Sequence, residues 1–145
     1  MTGGGGSGTI APNKAAAGDG VQKYGELRSG EIEAEFGELN TREIILTNER
    51  VLHIKEHHPQ DYALFKEYGQ KTVMDPDIIV RDMKNEGTVF MITRLEKMNL
   101  NAIIRLSVAN SDNPGLLNSI MTFYRIRTKN LEKLMEKHKV LYNRL

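Results

Sequence analysis

Between residues 77 and 127 the chain carries four runs rich in β-branched and aromatic residues, "DIIVRDM", "TVFMITRL", "NAIIRLSVA" and "NSIMTFYRIR". They are separated by the short turn-like stretches "KNEG", "EKMNL" and "NSDNPG". Connections this short fold successive strands back on one another, so the runs predict an antiparallel meander. The segments before them have a different period. In "REIILTNERVLHIKEHHP", a short β-rich run leads into a helix that Thr47 or Asn48 can cap and Pro59 ends. "QDYALFKEYGQKTVM" repeats aromatic residues Tyr62, Phe65 and Tyr68 at three-residue spacing and predicts a second helix. After the meander, "KNLEKLMEKHK" sets Leu131, Leu134 and Met135 on one side of a last helix. The expectation is an α+β fold, with N-terminal helices packed as one layer on a four-stranded antiparallel sheet and a C-terminal helix to close it. "GEIEAEFGEL" fits either a short edge strand or an acidic helical turn.

Ten of the thirteen glycines lie before residue 40. The opening "GGGGSG" and the Ala/Gly/Asn mixture after it hold too little apolar surface to offset the entropy of ordering. Residues 1–24 therefore read as a flexible Gly-rich linker or remnant, and residues 25–145 as a single domain. That start has neither the basic residues nor the apolar core of a secretory signal. No apolar run approaches the roughly 18 residues of a membrane span. Cysteine is absent, which excludes disulfides, thiol nucleophiles and thiolate metal sites, and suits a cytoplasmic protein, resident or delivered into a target cell. The net charge of +1 hides an asymmetry. Residues 1–40 hold three basic against six acidic side chains, and residues 91–145 hold ten against four. A basic C-terminal half suits a polyanionic partner.

Alternation along "LNAIIRLSV" puts Leu100, Ala102, Ile104, Leu106 and Val108 on one face, and Asn101, Ile103, Arg105 and Ser107 on the other. In the last run, Leu117, Ser119, Met121, Phe123 and Arg125 alternate with Asn118, Ile120, Thr122, Tyr124 and Ile126. With the apolar faces aligned, Arg105, Thr122 and Tyr124 share the open side of the sheet, where chemistry is expected.

Three of the four histidines, His53, His57 and His58, fall within "HIKEHHP". His53 and His57 are one helical turn apart, a spacing that suits a metal, yet no third ligand is evident and Ile54 stands where a zinc protease has glutamate. The commoner role is structural, because histidines near a helix C-terminus favour its dipole and its last carbonyls. The acid–base reading draws on the company they keep. Histidine exchanges protons near neutral pH, arginine grips phosphate through paired hydrogen bonds, and Thr or Tyr hydroxyls position it. Those groups suffice for RNA cleavage without metal or cofactor. The 2′-hydroxyl attacks the adjacent phosphorus, a base takes its proton, an acid protonates the 5′-oxygen, and a 2′,3′-cyclic phosphate remains. Each residue also has an ordinary role open to it, as a solvated strand arginine, a strand-forming threonine or a packing tyrosine.

"ILTNERVLHIKEHHP", the strand "LNAIIRLSV", "NSIMTFYRIRTKNLEKL" and the closing "KVLYN" together resemble the phage-associated branch of the barnase–EndoU–colicin–RelE-like (BECR) nuclease superfamily. The resemblance covers roughly residues 41–143. It implies an endoribonuclease domain, carried as a toxin or effector module of a phage-related or secreted polyprotein. It also implies two N-terminal helices on a four-stranded antiparallel sheet. The family's first histidine falls on His53 and its second on His58, with His57 close to the same helix face. Its strand arginine falls on Arg105, and its last-strand hydroxyl and aromatic residues on Thr122 and Tyr124. Arg81, Arg125, Arg127 and Lys129 are further candidates for contacts to the RNA backbone. The partners expected are RNA, tRNA included, and an acidic immunity protein over the basic face. A non-catalytic nucleic-acid adaptor of a phage or mobile element is the alternative.

Overall fold

The computed structural model describes residues 20–109 and 117–145. Its elements in chain order are β1 (Val21–Glu26), α1 (Gly30–Phe36), β2 (Glu43–Thr47), α2 (Asn48–His57) and a 3-10 turn (Pro59–Asp61). There follow α3 (Tyr62–Met74), β3 (Ile78–Arg81), β4 (Thr88–Arg94), β5 (Asn99–Arg105), β6 (Asn118–Ile126), α4 (Thr128–Lys137) and β7 (Lys139–Asn143). No helix among the described residues is long and apolar enough to cross a membrane.

The sheet corrects the four-stranded expectation. It has seven strands in the order β1-β2-β6-β5-β4-β3-β7 and is mixed, because β2 pairs with β6 in parallel. The four apolar runs do form the consecutive antiparallel set β3 to β6. The run "REIILT" adds β2 beside β6, with β1 antiparallel outside it. The closing "KVLYN" adds β7 to the other edge against β3. Edge strands carry polar side chains on exposed flanks, so "VQKYGE" and "KVLYN" lack the pattern of a buried strand. Residues 21–24, placed with the Gly-rich stretch above, belong to β1; residues 1–19 and the whole "NSDNPG" turn lie outside the described residues. "GEIEAEFGEL" forms the helix α1, which buries Ile32.

Helices cover both faces of the sheet, another departure from the single helical layer. On one face Val89, Met91, Leu100, Ala102, Ile104, Ile120 and Phe123 pack with Ile32, Ile54, Phe65 and Val73 of α1 to α3. On the other, Ile78, Val80, Phe90, Ile92 and Ile126 pack with Leu131, Leu134 and Met135 of α4. The amphipathic pattern of "KNLEKLMEKHK" thus buries the stripe its spacing predicts. That second face is left open beyond α4, along β5 and β6.

Candidate active site

The open face is set by a bulge. Ile103 pairs with Thr122 and Ile104 with Ile120, so Met121 is the extra residue in β6. Strict alternation fails there. Ile120 turns into the core beside Ile104, and Ser119 pairs with Arg105. From Thr122 onward the expected facing holds: Thr122 pairs with Ile103 and Tyr124 with Asn101, on the face that also carries Arg105.

Alpha-helix α2 brings the histidines to this face. Among the described residues strand β2 pairs with β6 only at Ile44–Asn118 and Ile45–Ser119, and α2 then continues along the freed flank of β6. Thr47 Oγ1 accepts the Arg50 N–H at 3.1 Å, capping the first turn. Ile54 is fully buried and fixes the helix rotation. Pro59 keeps His58 out of α geometry (φ −136°, ψ 55°), which ends α2 and starts the 3-10 turn. The turn is pinned by Asp61. Its buried carboxylate accepts the backbone N–H of Arg125 at 3.1 Å and the Arg125 Nε–H, while Gln60 Oε1 accepts from Arg125 Nη2 at 2.9 Å. Arg125 neighbours Tyr124, so this anchor also sets His58 against the tyrosine.

The aromatic groups form a connected cluster. The His53 and His57 rings lie 4.5 Å apart between centroids, His53 and His58 lie 6.3 Å apart edge-on, and His58 stacks on Tyr124 at 5.2 Å. Asn101 is fully buried, and its Nδ2 donates to Tyr124 Oη at 3.2 Å. The tyrosine oxygen is therefore held as an acceptor, and its own proton is free to be given away. Thr122 Oγ1 and Asn101 Oδ1 are buried with no hydrogen-bond partner among the described residues. Burial first, then the nearby His57, Arg50 and His58, hold His53 below the ordinary histidine range. Its neutral form, with a lone pair able to take a proton, is favoured at neutral pH.

The remaining candidates divide. Arg105 is exposed on the same face as Thr122 and Tyr124 and forms no ion pair with a described residue. Arg81 points to the opposite face, where Glu35 holds it at 2.5 Å, Glu86 at 3.0 Å, and its guanidinium lies over the Phe36 ring. It is a structural tie rather than a phosphate contact. Arg125 is committed to Asp61 and Gln60. Arg127 and Lys129 are exposed at the start of α4. Two residues escaped the sequence reading. Asn101 had a visible signal, an amide inside the apolar run "LNAII", whose burial demands a partner. Asp61, the end of the turn "PQD", had none, since its partner is 64 residues away. Among the described residues no group of three or more His, Asp or Glu side chains is arranged to hold a metal ion. No family model, curated protein or solved structure matches the chain.

Proposed function

We propose that this chain is a metal-independent endoribonuclease of the BECR kind, cutting RNA by transesterification to leave a 2′,3′-cyclic phosphate. The observation that carries the reading is the cluster of His53, His57, His58 and Tyr124 rings on the sheet face that also bears Thr122 and Arg105, which no described residue pairs. His53, kept neutral, takes the 2′-hydroxyl proton. His58, stacked on Tyr124, or His57 beside His53, protonates the 5′-oxygen. Arg105 balances the charge that grows on the phosphate, and Thr122 and Tyr124 orient it. The proton balance closes, because the one removed from the 2′-oxygen is matched by the one given to the leaving oxygen. A toxin or effector role in the phage-related manner, with tRNA among the targets and an acidic immunity protein as partner, accords with the basic C-terminal half.

The test is incubation with total cellular RNA and a tRNA pool in EDTA, beside His53→Ala. The expected result is cleavage that survives chelation, yields cyclic phosphate ends and drops on the order of a hundred-fold or more in the variant. RNA binding without cleavage by the wild type would overturn the enzyme reading in favour of a nucleic-acid adaptor.

A further inference from the structure

On the sheet face that bears Thr122 and Tyr124 lies a groove of about 630 Å³. Its lining includes Phe90, Ile103 and Met121, and Ile103 is the direct cross-strand partner of Thr122. Met121 is the residue displaced by the bulge in β6, a device that re-aims a side chain next to a site. Aromatic ring, branched aliphatic and thioether together make an apolar bed for a flat heterocycle.

The groove's far wall is the loop between β3 and β4, and it is held in shape. Asp82 Oδ1 accepts the N–H groups of Lys84 and Asn85 at 2.8 and 3.1 Å, and Oδ2 accepts Asn85 Nδ2 at 2.9 Å. Gly87 takes a positive φ of 77° that lets the loop return. The fourth histidine, outside the catalytic cluster, completes the wall. His138 Nδ1 accepts the Met83 N–H at 2.9 Å, which leaves the ring proton on Nε2, and the ring meets Phe90 edge-on at 5.3 Å.

A hydrogen-bond account of the rim decides what fits. The carboxylates are spent: Asp82 on its own loop, and Glu86 on Arg81 at 3.0 and 3.1 Å. What remains is Arg105, Lys84, the Thr88 hydroxyl and His138 Nε2–H, all able to donate, against the Asn85 Oδ1 acceptor. Asp82 offsets one of the two cations, and the apolar bed of Phe90, Ile103 and Met121 suits a neutral ring more than a second phosphate. A donor-rich rim pairs with base edges that accept, namely the carbonyls of guanine and uracil. It leaves the amino groups of adenine and cytosine facing other donors.

We infer that this groove is a nucleobase subsite selective for bases with a carbonyl at purine C6 or pyrimidine C4, guanine and uracil, placed to receive the base next to the scissile phosphate. The inference rests on the ribonuclease reading for its place in the reaction but not for the binding itself. Titration of the protein with inosine, uridine, adenosine and cytidine, none of which carries phosphate, reads the base alone by NMR. Inosine and uridine are expected to shift the signals of Thr88, Ile103 and His138, and to bind about fivefold or more tightly than adenosine and cytidine, one hydrogen bond's worth. Thr88→Val should reduce that preference, and His53→Ala should leave nucleoside binding intact. Equal binding of the four, or shifts confined to other surfaces, would overturn the inference. If the wild type cuts RNA without base bias and binds no nucleoside in the groove, the base site falls and the ribonuclease reading stands. If it binds inosine and uridine there but cuts nothing, the base site stands and the ribonuclease reading falls.

Discussion

Asp61→Ala is the perturbation that most directly separates the placing of the histidines from their chemistry. The Asp61 carboxylate bonds to no histidine among the described residues, and only its backbone N–H meets one, donating to the His58 carbonyl at 2.9 Å. It satisfies the Arg125 backbone N–H on the flank of β6 and holds the Arg125 guanidinium, and so ties the end of α2 to the strand that bears Tyr124. Truncation leaves a strand N–H without its acceptor and a guanidinium without its carboxylate. Hydrogen bonds to a charged group contribute about 1.5–3 kcal/mol each. The Arg125 side chain is 41% exposed and rehydrates on losing its partner, which discounts its share to that of a surface pair. The sum is about 2–3 kcal/mol, or roughly a 1 M fall in the urea midpoint for a domain with an ordinary m-value. Arg125→Ala keeps the backbone bond to Asp61 and should lose less than half as much. NMR provides the second readout, because the His58 ring signals carry the ring current of Tyr124 at 5.2 Å and should move toward random-coil positions in Asp61→Ala. Equal destabilisation by the two variants, or a His58 spectrum unchanged in Asp61→Ala, would refute the argument that this carboxylate sets the site.

Three other outcomes follow from the geometry. If His53 is the base, the acid limb of kcat/KM should fall below the ordinary histidine value of about 6.5, since activity is present above the lowered pKa and lost as pH drops through it. His57→Gln should move that limb upward, as a positive neighbour is removed while burial persists. Asn101→Leu, of similar size, should lower kcat by about tenfold with little change in KM, by releasing the Tyr124 hydroxyl; Asn101→Asp, which keeps the size but has no N–H to donate to the tyrosine oxygen, should not recover the rate. Acid should unfold the protein through its paired carboxylates. Lys139 and Arg81 hold Glu35, and Arg144 holds Asp75, below their ordinary ranges. Their stabilisation is therefore complete above the unfolded carboxylate values and lost as pH falls through the depressed ones. Urea midpoints measured from pH 5 to pH 2 should decline, and decline less steeply in Glu35→Gln.

The parts legible in the sequence were those whose pattern comes from burial nearby. Beta-strands β3 to β6 sit inside the sheet, so "DIIV" and "TVFMITR" are almost continuously apolar, and α4 shows its stripe because it lies across that sheet. Helix α2 announced itself through Thr47 and Pro59, which act within one turn. What stayed hidden depended on distant partners. The direction of β2 is settled by Asn118, whose buried Nδ2 donates to Thr41 and Glu43 carbonyls at 2.7 and 3.0 Å while Oδ1 accepts the Ser107 N–H at 2.8 Å. Nothing within "REIILT" encodes that. The bulge at Met121 was likewise invisible, and it inverted the facing of Ser119 and Ile120 while sparing Thr122 and Tyr124. Arg81 looked like any exposed strand arginine until Glu35 and Glu86 were found around it.

The parallel contact between β2 and β6 bears on when the molecule becomes competent as well as on its shape. Ile44 meets Asn118 across more than half the chain, and the intervening residues include α2, α3 and three strands of the antiparallel set. Contacts so distant form late, because the loop they close must be ordered before it contributes stability. On a ribosome, the helix bearing His53, His57 and His58 is made long before Tyr124 emerges, and has no strand to lie along. The histidines and their partners therefore meet only after β6 has been synthesised. The topology acts as a timer, and keeps the face unassembled until the last strand of the antiparallel set has emerged.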